Sequence, residues 1–203
     1  MMSYNQDELK SKKAELRSIL RAKRRSLGDD ERRIAALAVA ERVIGMDEYA
    51  KAELILAYMP ARGELDVLPI IQNARENGKR VAFPLCVDNG GLRLLVPNAP
   101  DAFSIGTYGI AEPDTARSTE VFANQLDLII VPAVAFAEDC LRLGQGGGYY
   151  DRLLESTNAF TVGVGYDFQL LKNLPVESHD RTLNCVALPS RLIWRMSRSN
   201  RSM

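Results

Sequence analysis

Apolar residues recur at helical spacing near the start of the chain, where Leu9, Leu16, Ile19 and Leu20 fall on one side of Asp7 to Ser26 and basic residues fill the other. The pattern predicts an amphipathic helix that Gly28 ends. A second helix is expected from Asp29, where acidic residues suit the positive end of the helix dipole, carrying Ile34, Leu37 and Ala38 until Gly45 closes it. Together the two make an N-terminal helical hairpin. Beyond it come short β-rich runs separated by helices. Glu53 to Met59 reads as a strand, Asp66 to Asn77 as a helix ending at Gly78, and Arg80 to Leu85 as a strand, which is a βαβ unit. Leu92 to Val96 adds a short strand. The longest apolar run, Leu126 to Phe136 (LDLIIVPAVAF), suits one strand covered on both faces at the centre of a parallel sheet. Tyr149 to Ser156 is expected to be helical, Phe160 to Tyr166 a buried strand, and Cys185 to Leu188 the last strand. The alternation predicts an α/β fold: a single domain over 1–203, with a mostly parallel open sheet flanked by helices behind the helical hairpin.

Composition narrows the function classes. Hydrophobic residues make up 46% and charged residues 26% of 203 positions, the profile of an ordinary globular protein. Lys plus Arg and Asp plus Glu both number 26, so net charge gives no reason to expect a nucleic-acid or membrane partner. Cys86, Cys140 and Cys185 are widely spaced and His179 is the single histidine, which argues against a structural zinc site or a disulfide framework. No stretch has the length or apolarity of a membrane span, and the N-terminus has no apolar run behind its charges. A cytoplasmic monomer acting on small molecules is the expectation. The tail at 191–203, with Arg191, Trp194, Arg195, Arg198 and Arg201, reads as a solvated basic end rather than a nucleic-acid patch.

The stretch Arg142-Leu-Gly-Gln-Gly-Gly-Gly-Tyr-Tyr-Asp151 follows the longest apolar strand and leads into a helix. Glycines at 144, 146, 147 and 148 let successive backbone N–H groups turn inward as an anion-binding concavity, to which the helix adds its positive end. No Lys-Ser/Thr pair follows, so it is not a Walker loop, and Tyr149 stands where the dinucleotide fingerprint needs a glycine. Arg142 adds a planar donor for phosphate oxygens. A plain glycine turn with Asp151 as a helix cap is the alternative. In Lys13-Ala-Glu-Leu-Arg17 the spacing of four puts both cations on one helix face, although Lys10 and Arg21 share that spacing and a solvated basic face would look the same. Tyr58-Met-Pro-Ala-Arg-Gly-Glu-Leu-Asp66 leaves a strand at its C-terminal end, where open α/β sheets place ligands. There Glu64 could accept paired hydrogen bonds from an aminopyrimidinone ring beside the adaptable Met59, or could simply open the next helix. Arg62 is a weaker candidate.

The ten residues from Arg142 to Asp151, with the strand before them, resemble the signature of the 5-formyltetrahydrofolate cyclo-ligase family, and supporting matches run from Lys13 to Asp180. The resemblance implies conversion of 5-formyltetrahydrofolate to 5,10-methenyltetrahydrofolate with ATP as co-substrate and Mg²⁺ as cofactor. ADP and phosphate would be released through a phosphorylated formyl (iminium phosphate) intermediate. It implies that Lys13, Arg17 and the loop Arg142, Leu143, Gly144, Gln145, Gly146, Gly147, Gly148, Tyr149 and Tyr150 bind ATP. By the same resemblance, Met59, Glu64 and the segment Gln145 to Tyr149 contact the folate, Asp151 and Asp180 hold Mg²⁺, and Lys13, Arg142 and Tyr149 act in the reaction. Phe83-Pro84 and Tyr108-Gly-Ile-Ala-Glu112-Pro113 also resemble family segments near the folate pocket, though aromatics beside strands are often plain core. His179 precedes Asp180 in Leu174-Pro-Val-Glu-Ser-His-Asp, and its role stays open. Other readings are another small-molecule phosphoryl-transfer or sugar-phosphate enzyme on the same fold, or a non-catalytic folate or RNA binder.

Overall fold

The computed structural model describes residues 6–87, 91–106, 109–175 and 181–196. Two helices open the chain, α1 (Gln6–Arg25) and α2 (Asp29–Ile44), joined across Ser26, Leu27 and Gly28. The short α3 (Asp47–Lys51) leads into β1 (Leu54–Leu56), α4 (Leu68–Glu76), β2 (Arg80–Cys86) and β3 (Leu92–Pro97). A hairpin of β4 (Phe103–Ile105) and β5 (Ala111–Pro113) precedes β6 (Ser118–Val121), β7 (Leu128–Pro132), β8 (Ala135–Ala137) and β9 (Arg142–Leu143). The chain ends through α5 (Tyr149–Glu155), β10 (Phe160–Val164), β11 (Leu170–Leu171), β12 (Cys185–Ala187) and β13 (Leu192–Trp194).

The main sheet has eight strands in the order β13-β12-β10-β7-β1-β2-β3-β6, which puts β7 in the middle as its all-apolar sequence predicts. From β12 to β2 the neighbours run parallel, and the strands beyond them are antiparallel. The βαβ unit is present, with Leu54 opposite Arg80 across β1 and β2 and α4 between them. Successive residues of each central strand serve opposite faces. Ile55, Val81, Leu128 and Ile130 pack with α2, α3 and α4, while Leu54, Leu56, Ile129 and Val131 pack with Leu153 of α5. Helices therefore cover both faces, as an α/β layer arrangement requires.

Several expectations are corrected. The run Leu126 to Phe136 is two strands, because the chain leaves the main sheet after Pro132 and β8 joins a separate sheet in the order β11-β8-β9. The carbonyls of Ala133 and Val134 that leave the ladder at this bend are satisfied by the buried Gln169 amide, whose Nε2 donates to both at 2.9 Å. The strand expected from Glu53 to Met59 is only Leu54–Leu56, and the helix expected from Asp66 begins at Leu68, whose N–H is accepted by Asp66 Oδ1 at 2.9 Å. Sequence reading missed the β4–β5 hairpin, β6, β9, β11 and β13, the last of which takes the start of the basic tail into the sheet against β12.

The helix faces also differ from the periodicity. On α2 the buried side is Ala35, Ala36, Val39, Ala40 and Val43, while Ile34 and Leu37 lie mostly in solvent. On α1 Ile19 is 56% exposed, and the side turned to the protein is Lys13, Arg17, Leu20 and Arg24. A mixed face of this kind, with three cations around one leucine, defeats a search for apolar repeats. No helix among the described residues is long and apolar enough to cross a membrane.

Candidate active site

The C-terminal ends of β1, β2 and β7 open onto one cavity of about 370 Å³. Its floor and walls bring together Lys13 and Arg17 of α1, Met59 and Glu64 of the loop after β1, Phe83 and Pro84 of β2, Glu112 and Pro113 of β5, and every residue from Arg142 to Asp151. Tyr108, His179 and Asp180 lie outside the described residues. Arg62 lines a neighbouring groove on the far side of Glu64 and not this cavity.

Tertiary packing brings α1 to the cavity. Leu16 and Leu20 seat against Val134, Ala135 and Leu143, so the three-stranded sheet docks the helix beside the turn that follows β9. From there Arg17 Nε donates to the Gly144 carbonyl at 2.9 Å, and Arg21 donates through Nε and Nη2 to Gln145 Oε1 at 2.9 and 2.6 Å. Lys13 and Arg17 are thus the pair that faces the cavity. Lys10 is exposed, and Arg21 reaches the loop without lining the space.

The turn itself needs its glycines. Gly146 has φ +109° and Gly148 has φ +68°, a region that side chains resist, and both residues line the cavity. Tyr149 and Tyr150 open α5, which spans only seven residues, so the loop amides and the cations carry more of any anion binding than this helix can. Arg142 is 6% exposed, donates from Nη2 to Asp151 Oδ1 at 2.6 Å, and lies over the Tyr150 ring at 5.7 Å. The hydroxyl of Tyr150 is buried without a hydrogen-bond partner, and burial raises its pKa. Asp151 is therefore oriented by a cation before any metal is considered, and it is not merely a helix cap.

Glu64 does not open a helix. It closes a tight turn in which Arg62 has φ +51° and Gly63 φ +76°, the Glu64 N–H donates to the Ala61 carbonyl at 2.9 Å, and the Ala61 N–H donates to Glu64 Oε2 at 3.3 Å. Gln145 Nε2 donates to Glu64 Oε1 at 3.1 Å, and Tyr166 OH donates to the Glu64 carbonyl at 3.4 Å. Burial pushes the carboxyl above its ordinary pKa, while the nearby Arg24 guanidinium, the Ala61 N–H and the Gln145 amide pull the other way. Phe83 is 1% exposed in the core, edge-on to Phe103 at 5.2 Å, and it also forms part of the cavity wall.

Sequence reading missed Cys86, Leu92 and Pro132 in the lining, and Arg24 behind it. Only Arg24 left a trace, since it continues the face of Lys13 and Arg17 by seven residues, two turns of helix. Among the described residues five polar or charged side chains are buried, and three of them, Lys13, Arg24 and Arg142, are cations at or beside this cavity. Buried cations are costly unless something negative meets them.

Fold and cavity together define an α/β protein whose site gathers a glycine turn, clustered cations and a partly buried carboxylate with aromatic residues. The model of the 5-formyltetrahydrofolate cyclo-ligase family matches residues 9–189, and the chain belongs to that family of enzymes. It is 32% identical over 181 residues to the 5-formyltetrahydrofolate cyclo-ligase of Escherichia coli strain K12, covering 87% of this chain and 99% of that one. A probable 5-formyltetrahydrofolate cyclo-ligase of Schizosaccharomyces pombe is 29% identical over 90% of this chain and 97% of its own length. The solution structure of Aquifex aeolicus 5,10-methenyltetrahydrofolate synthetase superposes with a TM-score of 0.82 at 31% identity, covering 94% of this chain and 95% of that one.

Proposed function

We propose that this chain is a cytoplasmic enzyme that closes the ring of 5-formyltetrahydrofolate to give 5,10-methenyltetrahydrofolate, using ATP and Mg²⁺ and releasing ADP and phosphate. The observation that carries the reading is one cavity of about 370 Å³ lined both by cations and a glycine turn and by Glu64 with Met59 and Phe83. Such a space can hold a triphosphate and a flat reduced pterin side by side. Family membership supports the same substrate.

The chemical difficulty is that the formyl oxygen is a poor leaving group. In the proposed sequence that oxygen attacks the γ-phosphorus and ADP departs. N10 then attacks the activated formyl carbon and loses its proton, and phosphate leaves with the former formyl oxygen. No side-chain nucleophile is needed, so the protein's work is positioning and charge stabilisation. Lys13, Arg17, Arg142 and the N–H groups of the glycine turn would hold the phosphates. Glu64 would accept hydrogen bonds from the pterin, with Met59 and Tyr149 as its apolar neighbours and Gln145 between the two substrates.

Asp151 suits a hard cation, since it offers a carboxylate at the mouth of the phosphate turn. The described residues contain no group of three or more acidic, histidine or cysteine side chains fit to hold a metal ion. Mg²⁺ that arrives with ATP needs only one or two protein carboxylates, so the donor set fits, with Asp180 as the second candidate by sequence. When bound, it would neutralise phosphate charge. The deciding assay mixes the protein with 5-formyltetrahydrofolate and Mg·ATP and follows the near-ultraviolet absorbance of the methenyl product. An ATP-dependent rise is expected, and its absence overturns the proposal.

A further inference from the structure

Arg24 stands just outside the cavity and is 3% exposed, with its Nε buried and lacking a hydrogen-bond partner. Its Nη1 lies 3.9 Å from Glu64 Oε1, and the two side chains are 4% and 15% exposed. Burial of a guanidinium this deep is unfavourable, and it lowers the Arg24 pKa even though Glu64 opposes the shift. The pair is therefore a poor device for stability alone. Arg24 reaches Glu64 from α1 without lining either space, while Glu64, beside Met59, lines both the cavity and the neighbouring groove.

We propose that Arg24 is a positioning residue for folate binding, holding the Glu64 carboxylate as an anion turned into the cavity, where an aminopyrimidinone ring meets an acceptor of two hydrogen bonds. The inference rests on the reading of Glu64 as the pterin's partner. Of the groups that favour the charged form of Glu64, Arg24 is the strongest, ahead of the Ala61 N–H, the Gln145 amide and Arg62 on the same loop. The phenols of Tyr58, Tyr150 and Tyr166 near Glu64 all have pKa values raised by burial and stay neutral at working pH, while Lys13 and Arg17 share the cavity with it and Arg32 and Asp66 the neighbouring groove. Gln145 is itself held by Arg21, one turn before Arg24, so α1 steadies the carboxylate both directly and through the glycine turn.

The sign follows from burial. With Arg24 removed, desolvation acts on Glu64 with less opposition, its pKa rises further, and the neutral acid persists to higher pH. In Arg24→Met, the side-chain carbonyl resonance of ¹³C-labelled Glu64, assigned by its loss in Glu64→Gln, should titrate at higher pH than in the parent chain, both measured without substrate. KM for 5-formyltetrahydrofolate should rise about tenfold and fall back as pH is raised, KM for ATP should stay within about twofold, and Arg24→Lys should restore both titration and KM. Should Arg24→Met fail to fold, Arg24→Gln carries the same titration. An unmoved titration, or a parallel rise in KM for ATP, overturns the proposal. If Glu64→Gln leaves folate KM unchanged, the pterin reading of Glu64 falls, while the titration still decides what Arg24 does to it.

Discussion

Lys13 is 6% exposed, whereas Lys10 one turn earlier lies in water. Desolvation makes the Lys13 charge act strongly on whatever anion shares the cavity, and it leaves Lys10 screened. Replacement of Lys13 by Ala should lower kcat/KM for ATP by about a hundredfold, and replacement of Lys10 should change it by less than about twofold. Steady-state kinetics on the two variants checks the contrast. Gly146 is constrained differently. Its φ of +109° makes Gly146→Ala a strained change, although an added Cβ would meet the Arg17 guanidinium only at an ordinary 3.7 Å. It should weaken ATP binding in calorimetric titration by roughly tenfold while folate binding changes less, because the strain falls on the turn that holds the phosphates. At this scale the sequence was informative wherever chemistry depends on local spacing: Lys13 and Arg17 four apart, and a run of glycines before an aspartate. For Arg24 it offered only the helical spacing from Arg17 and nothing of its burial beside Glu64, in a loop forty residues away.

Elements place those residues. Helix α1 is held by Leu16 and Leu20 on the three-stranded sheet, an apolar contact too small to show as a full amphipathic stripe. Leu20→Ala should cost about 2 kcal/mol or more of stability, read by denaturant unfolding, and should speed hydrogen exchange along α1 ahead of the main sheet. Strand β10 shows the opposite case of close fit. A Cβ at Gly163 would stand 2.5 Å from Phe136 Cε1 and 2.6 Å from Leu183 Cδ1, so Gly163→Ala should lower stability by about 1 to 3 kcal/mol, with thermal unfolding as the measure. Phe136 belongs to β8, the strand that sequence reading fused with β7. The apolar run was legible as strand and as sheet centre, but its break was not. Leaving one sheet for another requires the Gln169 amide to satisfy two carbonyls, and Gln169 comes from a distant part of the chain. Lys13 and Arg17 were legible as one cationic face of α1, but its burial and its extension to Arg24 escaped for a related reason. Periodicity detects apolar surface, and this surface is buried because its charges meet a site.

For the molecule as a whole, buried acidic protons set a limit at alkaline pH. Burial pushes the Cys140 thiol up to about 11, Cys185 to about 12 and the Tyr49 phenol to about 12. In the folded protein these groups keep protons that the unfolded chain gives up from about pH 9 for the thiols and pH 10 for the phenol. Their contribution to stability is full below those values and is lost as pH rises towards 12, by about 1.4 kcal/mol per pH unit for each group that is ionised only when unfolded. Thermal unfolding from pH 8 to 11 should therefore show a steadily falling midpoint, and Cys185→Ala should flatten the slope.

The order of helices and apolar runs determined that this chain forms α/β layers with β7 at the centre, because burying alternating faces of short strands leaves few other arrangements. It also set where the glycine turn falls, since positive φ at Gly146 and Gly148 is a local property. Tertiary structure alone decided that Glu64, Gln145 and the α1 cations meet at one cavity, and which side of α1 is buried. The physical reason is that these choices depend on desolvated charges finding partners far away in the chain, and pairing at long range has no period to read.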